Sequence, residues 1–267
     1  MSKLNKDSAL GTFVIIITFC LVCSVLVSSA VVALNPFKAA AVANDRQVSI
    51  LKVSGFEVKG SVADTFTKHI ESHLIDVDTG ALADDKVNKD EIEGYNFASL
   101  AKKPETSVSI PKDKDVAGIL TRSKLMPVYF AKNDDGKVER VILPFYGQAL
   151  WSTVYGYVAI SPADGNTILG VTFYSHGETP GLGGEIDNPR WQALWVNKKL
   201  TDENGDYKFH ITKHAQNKDF DIDALSGATL TSNGVDHLSA YWLGDAYKPF
   251  LEKLSKGEIV VNEYQGS

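Results

Sequence analysis

The chain has 267 residues, 44% hydrophobic and 22% charged, which is the composition of a globular protein with one large or two small domains. Its formal net charge at pH 7 is −6 and it shows no basic patch with interleaved aromatic residues, which argues against nucleic acid as a partner. Its two cysteines, Cys20 and Cys23, both fall in an apolar N-terminal run, so the rest of the chain has no disulfide framework.

The N-terminal segment predicts a membrane anchor. Residues 1–9 form a short polar head, and Leu10–Leu34 contains no charged residue. A helix of that length reaches about 37 Å, enough to cross a hydrocarbon core of about 30 Å. The apolar region of a signal peptide is shorter, about 7–15 residues, so we predict a retained transmembrane helix at 10–34 rather than a cleaved signal.

The charges beside this helix leave its orientation open. Lys3 and Lys6 precede it, and Lys38 and Arg46 follow it, so the positive-inside rule gives a tie. The two cysteines are three residues apart and share one helix face. We favour packing between helices as their role, the alternative being a metal or cluster shared with a partner subunit.

Residues 35–124 predict a helical stalk and a surface region. Ala39–Lys52 is helical in pattern, and a second helix is expected to begin after Ser61 as N-cap. Its apolar face consists of Val62, Phe66, Ile70 and Leu74. His69 and His73 have the spacing of a zinc pair on that helix, but no third ligand is evident, so we reject a metal site.

Asp84–Asp115 is rich in charge and is expected to be a surface excursion. A β-rich core follows at 125–260, with residues 261–267 as a C-terminal tail. Turns are predicted at 133–136 and 164–166. The predicted strands are Leu125–Ala131, Val138–Tyr146, Trp151–Ile160, Ile168–Tyr174 and Tyr207–Thr212. The predicted helices are Pro189–Val196, with Asn188 as N-cap, and Val235–Leu243 and Tyr247–Leu254, broken at Gly244-Asp245. The fold class is therefore α+β, an antiparallel sheet flanked by helices behind one transmembrane helix.

Two short blocks carry the chemistry. In Asp223–Ser232, the small residues Ser226-Gly227-Ala228 let a backbone turn approach a ligand closely. The hydroxyls of Thr229, Thr231 and Ser232 precede a helical pattern, an arrangement that suits a phosphate, although an N-cap alone would explain it equally well. The second block, Gly177–Glu185, has four glycines and Pro180, so its loop can present N–H groups to a ring edge while Leu182 offers an apolar wall.

Ser226-Gly227-Ala228-Thr229, preceded by Asp223, resembles the flavinylation motif of the FMN-binding domain family. Gly177–Glu185 also matches that family. Behind a single N-terminal helix, the two blocks resemble the C subunits of Na+-translocating NADH:quinone reductases, over essentially the whole chain. The resemblance implies a phosphoester bond between FMN and the hydroxyl of Thr229.

The resemblance points to Glu178, Thr179 and Leu182 as the main flavin contacts. Trp151 is a candidate for ring packing, with a core anchor as the alternative, and Lys213 is a candidate to neutralise the phosphate. The full set of expected cofactor-binding residues is Trp151, Glu178, Thr179, Gly181, Leu182, Lys213, Ser226, Gly227 and Ala228.

Catalytic triads, P-loops and the GxGxxG fingerprint do not occur in the sequence, so this chain alone holds no complete active site. The resemblance implies an electron-relay subunit with other reductase subunits as partners, matured by a flavin transferase that uses FAD and Mg²⁺. It also implies a cytoplasmic head and a periplasmic domain at the bacterial inner membrane. The alternatives are a flavin subunit of the related ferredoxin:NAD reductase complex, another membrane-anchored flavodomain, and a structural ectodomain without cofactor.

Overall fold

A long N-terminal helix precedes a six-stranded sheet in the computed structural model, which describes residues 9–58 and 60–259. The predicted polar head, except for Ala9, and the C-terminal tail lie outside the described residues. Helix α1 runs over Ala9–Ser54, and its stretch Ala9–Asn35 has a mean hydropathy of 2.8, long and apolar enough to cross a membrane. The chain divides into two units, residues 1–45 and 46–267.

The second unit is built on an antiparallel sheet with the strand order β2-β1-β5-β6-β7-β8. Two-stranded pairs β3–β4 (antiparallel) and β9–β10 (parallel) accompany it. The strands are β1 Ile70–Asp76, β2 Ala81–Leu82, β3 Ser107–Ser109, β4 Thr121–Ser123, β5 Leu125–Lys132, β6 Val138–Gln148, β7 Thr153–Ile160, β8 Ile168–Ser175, β9 His210–Thr212 and β10 Asp221–Asp223. The helices after α1 are α2 Val62–His69, α3 Lys89–Glu93, α4 Phe97–Leu100, α5 Pro189–Gln192, α6 Thr229–Ser239 and α7 Lys248–Ser255.

Both faces of this sheet are covered, which explains why β5 and β6 are buried almost continuously rather than at alternate residues. One face, with Phe130, Leu143 and Phe145, packs in the same core as residues of α6 and α7. The other face, with Tyr129 and Ile142, packs against the last turns of α1 and against α2. Ile50, Leu51 and Val53 of α1 belong to this second core.

The predicted α+β class and antiparallel sheet are confirmed, and both predicted hairpin turns are present. At the first turn, the Oδ1 of Asn133 accepts hydrogen bonds from the N–H groups of Asp135 and Lys137, and Gly136 adopts φ +78°. At the second, the Oδ1 of Asp164 accepts from Asn166 and Thr167. Short side chains that accept from the backbone two to four residues on are typical of such turns.

The predicted helix with Ile70 and Leu74 on its face is wrong. Helix α2 ends at His69, and the chain continues as β1, which pairs with β5 over seven residues. The backbone hydrogen bonds between β1 and β5 stabilise residues 70–76 as a strand, although their apolar residues have a spacing that also fits a helix. His69 and His73 are therefore not one helical turn apart; the Nδ1 of His73 lies 2.5 Å from Asp84 Oδ2 instead.

The region Asp84–Asp115 is not only a surface excursion, because it buries apolar side chains such as Ile92, Phe97 and Ile110 in the main core. Three other predictions differ in extent. The strand predicted from Trp151 begins at Thr153, and the one predicted from Tyr207 is confined to His210–Thr212. The helix predicted from Pro189 continues after Gln192 as a 3-10 turn, Ala193–Trp195, and Asn188 does cap its start.

The helix predicted from Val235 begins six residues earlier, at Thr229, immediately after the small-residue motif. It does not break at Gly244-Asp245 but continues through a π-helical segment, Ala240–Ala246, into α7. Trp242 and Tyr247 tie this part of the chain to the end of β6, because their Nε1 and hydroxyl groups donate to the carbonyls of Tyr146 and Pro144. The start of α6 thereby gains a fixed place beside the sheet.

Candidate functional site

The two sequence blocks meet at one end of the sheet. Residues 223–232 follow β10 and lead into α6, and residues 177–185 follow β8. Leu182 links them, because a Cβ built on Gly227 would lie 3.6 Å from its Cδ2. A third segment, the turn 147–152 between β6 and β7, completes the site. We call the ensemble of residues 147–152, 177–185 and 223–234 the motif site.

A buried carboxylate holds the three segments together. Glu178 is 4% exposed. Its Oε1 accepts hydrogen bonds from the N–H groups of Trp151 (2.9 Å) and Ser152 (3.3 Å). Its Oε2 accepts from the hydroxyl of Thr231 in α6 (2.6 Å). Both oxygens are thus engaged by donors within the protein, in the acceptor role that suits an ionised carboxylate.

Glycines let these segments approach closely. A Cβ on Gly183 would lie 2.4 Å from Thr231 Oγ1 and 2.9 Å from Glu178 Oε2. A Cβ on Gly234 in α6 would lie 2.7 Å from Ala149 Cα. Side chains at these positions would push α6 away from the loop and the turn, so both glycines are needed for the observed packing.

The loop 177–185 is fixed by its own hydrogen bonds. The N–H groups of Leu182 and Gly184 both donate to Thr179 O, and Gly177 N–H donates to the Ser152 hydroxyl. Gly181 adopts φ +75° with open space where a Cβ would lie, so the loop backbone is accessible there. His176 supports the base of the loop, because Glu178 N–H donates to its Nδ1 while its Nε2 lies 2.9 Å from Asp187 Oδ2.

The motif 223–232 is anchored from its first residue. Trp191 Nε1 donates to Asp223 O, and the Asp223 carboxylate accepts from Ala215 N–H. Ala224 N–H donates to Thr212 O, which brings the start of the motif beside the strand that precedes Lys213, whose side chain is exposed. Gly227 adopts φ +75°, a left-handed conformation that favours glycine.

The three hydroxyls of the motif differ sharply in exposure. Thr229, the first residue of α6, is exposed. Thr231 and Ser232 are 1% and 0% exposed, and the Ser232 hydroxyl accepts from Leu225 N–H. Ala228, the N-cap of α6, offers no side-chain cap, so no side chain at that position satisfies the first N–H groups of the helix.

Large apolar side chains are exposed in the segments of the motif site: Leu150, Trp151, Leu182 and Leu230 are 43%, 68%, 47% and 61% exposed. Trp151 is therefore not a core anchor. The site is an open patch, and a cavity of about 640 Å³ lined by Tyr95, Leu100 and Leu125 contains none of its residues.

All the expected site residues except Lys213 lie in the three segments of the motif site, and that set leaves out the residues that support these segments. Ser152 and His176 hold Glu178 or its loop but belong to neither sequence block, whereas Thr231 lies in the block 223–232 and was expected there only as a hydroxyl for a phosphate. Gly234 lies just before the helix predicted from Val235, so its close packing in the interior of α6 was not predicted. Of the nine expected cofactor-binding residues, Glu178 and Ala228 are buried, and both oxygens of Glu178 accept hydrogen bonds from protein donors.

The motif site combines a glycine-rich loop, an exposed threonine at a helix start and exposed apolar side chains, and comparison with known proteins assigns the chain to a flavin-binding class of domain. Residues 150–244 match the model of the FMN-binding domain family. The chain is 44% identical over 255 residues to the C subunit of the Na(+)-translocating NADH-quinone reductase from Neisseria meningitidis serogroup A, covering 94% of this chain and 96% of that protein. It is 42% identical to the corresponding protein of Pasteurella multocida, with 96% and 98% covered.

Two solved structures are also similar to this chain. The crystal structure of Shewanella oneidensis NqrC superposes with a TM-score of 0.74 and is 35% identical, covering 81% of this chain and 99% of that one. The crystal structure of the corresponding protein from Parabacteroides distasonis gives a TM-score of 0.63 at 26% identity, with 83% and 97% covered. The chain belongs to the family of Na+-translocating NADH-quinone reductase C subunits.

Proposed function

We propose that Thr229 carries FMN through a phosphoester bond, and that the chain uses this flavin to relay electrons within a Na+-translocating NADH:quinone reductase. The supporting observation is the exposure of the three motif hydroxyls. Thr229 is exposed, whereas Thr231 and Ser232 are buried and hydrogen-bonded. Among these hydroxyls, the folded chain presents one to an external enzyme.

Attachment requires a second protein, a flavin transferase that uses FAD and Mg²⁺. The Thr229 oxygen forms a new bond to the phosphorus of the FMN half of FAD, the pyrophosphate bond breaks, and AMP leaves. The hydroxyl proton passes to a base of the transferase or to solvent. The resulting diester keeps one negative charge.

The residues around Thr229 fit such a group. The uncapped start of α6 offers backbone N–H groups and the positive end of the helix dipole to a phosphate. Lys213 supplies a cation at the surface. Trp151, Leu182 and Leu230 provide exposed apolar area for a flat ring, and the open backbone at Gly181 allows its edge to approach.

FMN supplies one- and two-electron chemistry when bound, and the protein supplies attachment and orientation. A covalent bond keeps the cofactor on an open surface from which a weakly bound flavin would be lost. NADH oxidation and quinone reduction then take place in other subunits of the complex, and this chain relays electrons between centres in that complex.

In the same proposal, residues 10–34 anchor the chain in the bacterial inner membrane and residues 1–9 face the cytoplasm. Residues 35–124 and the FMN-binding core, 125–260, lie in the periplasm. The apolar stretch Ala9–Asn35 of α1 supports the anchor, and the orientation is the one that the family resemblance implies.

The attachment is tested by co-expressing the chain with its flavin transferase and recording in-gel flavin fluorescence after denaturation. The parent should fluoresce, and T229L should not. T231V is the matched control and should keep its fluorescence, because that hydroxyl is buried. Peptide mass spectrometry across residues 223–232 locates the added mass, and covalent flavin that persists in T229L would refute the assignment to Thr229.

A further inference from the structure

The buried carboxylate of Glu178 has a role beyond the one that the family resemblance assigns to it. The resemblance treats Glu178 as a flavin contact. Its side chain instead faces inward, where two backbone N–H groups and one hydroxyl donate to it. It is a positioning residue for the surface above it, since it joins the turn that carries Trp151 to the helix that begins at Thr229.

Glu178 also carries a charge without a counter-ion. No ion pair to it occurs among the described residues, and the nearby Asp187 carboxylate lies against His176 instead. Its donors are uncharged, so they stabilise the carboxylate without cancelling its negative charge. A charge in this position is screened far less than one on the surface, such as that of Lys213.

From this geometry we infer that Glu178 lowers the reduction potential of the flavin held at the motif site. The inference rests on the proposed function. Two-electron reduction at neutral pH leaves one added negative charge on the ring once a single proton has been taken up. A fixed negative charge beneath the site opposes that change, so the oxidised form is favoured and the site becomes a stronger electron donor.

The expected size follows from Coulomb's law. A unit charge within about 10 Å, at an effective dielectric constant of about 20, changes the equilibrium constant for one added charge by roughly tenfold. For a two-electron couple, a tenfold change corresponds to about 30 mV. Removal of the Glu178 charge should raise the potential by about this amount.

The charge can be removed without removing the packing. In Glu178→Gln, the amide oxygen can still accept from the N–H groups of Trp151 and Ser152, and the amide nitrogen can donate to Thr231 Oγ1. Asp236→Asn is the matched control on the same helix. The Asp236 carboxylate accepts from Ile211 N–H and lies 3.4 Å from His210 Nδ1, two helical turns beyond Thr229 and outside the three segments joined by Glu178.

The experiment is a spectroelectrochemical titration of the covalently bound flavin in the full chain, solubilised in detergent, at pH 8. E178Q should show a potential about 30 mV higher than the parent, and D236N should match the parent. An unchanged or lower potential in flavin-loaded E178Q overturns the inference and leaves the proposed function intact. A parent chain without covalent flavin would instead refute the proposed function.

Thr231→Val provides a second test that does not depend on loading E178Q. It keeps the carboxylate but removes one of its donors, so less of the charge is screened and the potential should fall. A T231V potential equal to or above that of the parent overturns the inference. Thermal unfolding of each variant without flavin shows whether its fold is retained.

Discussion

Gly234→Ala is predicted to destabilise the protein, although helix propensity predicts the opposite. Gly234 lies in the interior of α6, where alanine is favoured over glycine by about 1 kcal/mol. A Cβ there would lie 2.7 Å from Ala149 Cα and 2.9 Å from Gln148 O. Carbon atoms in contact are normally about 3.5–4.0 Å apart, and these two are backbone atoms that cannot rotate away.

The clash forces α6 away from the turn 147–152. Overpacking of this kind costs about 1–3 kcal/mol, and the rigid neighbours place the cost towards the upper end. After the propensity gain is subtracted, we expect a net loss of about 1–2 kcal/mol in the free energy of unfolding. For a unit of this size, the melting temperature should fall by about 2–8 °C.

Thermal unfolding of the solubilised chain, followed by circular dichroism, measures this change. Asn233→Ala is the matched control, since Asn233 is exposed on the same helix and the change should add about 0.5 kcal/mol. If Gly234→Ala is as stable as the parent or more stable, the close contact between α6 and the turn is not a constraint. The reasoning would then be refuted.

Three further predictions concern titration, anchoring and topology. Burial raises the pKa of Tyr241 to about 12 from 10.0, and it raises the pKa values of Tyr157, Tyr207 and Tyr247 well above the ordinary value for tyrosine. The contribution of these buried, neutral tyrosines to the free energy of unfolding should therefore be complete below pH 10 and lost as the pH rises towards 12. Tyrosinate absorbance should then appear cooperatively with unfolding, and a gradual, non-cooperative titration would contradict this. Deletion of residues 1–35 should give a soluble domain that still loads FMN, because Ile50 and Leu51 remain to fill the second core, whereas aggregation or loss of flavin would make the helix part of the fold. Alkaline phosphatase fused after Ser267 should be active, and a silent fusion beside a bright cytoplasmic fluorescent fusion would reverse the orientation.

The sheet itself was largely predictable, because β5 to β8 follow one another along the chain with recognisable turns between them. Strand β1 was not. Its residues are consistent with a helical apolar face, and only its pairing with β5, about fifty residues later, decides for a strand. Local sequence patterns cannot reveal a pairing partner at that distance, which is why the sequence predicts a helix where the structure has β1.

The motif site shows the same difference between what local sequence patterns reveal and what tertiary contacts decide. The two blocks and the hydroxyls were visible as sequence, but the direction of the Glu178 side chain depends on segments 27 and 53 residues away. The difference between Thr229 and Thr231 likewise exists only after α6 has packed. Motifs therefore located the segments, and tertiary contacts determined which side chains face outward.

The two edges of the six-stranded sheet bear on how this protein can meet its neighbours in a complex. On one side, β2 has only two residues, and Leu74 N–H donates to Asp84 Oδ1 at 2.7 Å while Leu74 O accepts from Ala83 N–H. On the other, Ile168 exchanges hydrogen bonds with Asn197 and Lys198. Strand addition by a partner needs a continuous run of free backbone donors and acceptors, which the two-residue strand β2 does not offer, whereas β8 is engaged at its first residue. On the β2 side of the sheet, neighbouring proteins are therefore expected to recognise side-chain surfaces rather than to extend the sheet.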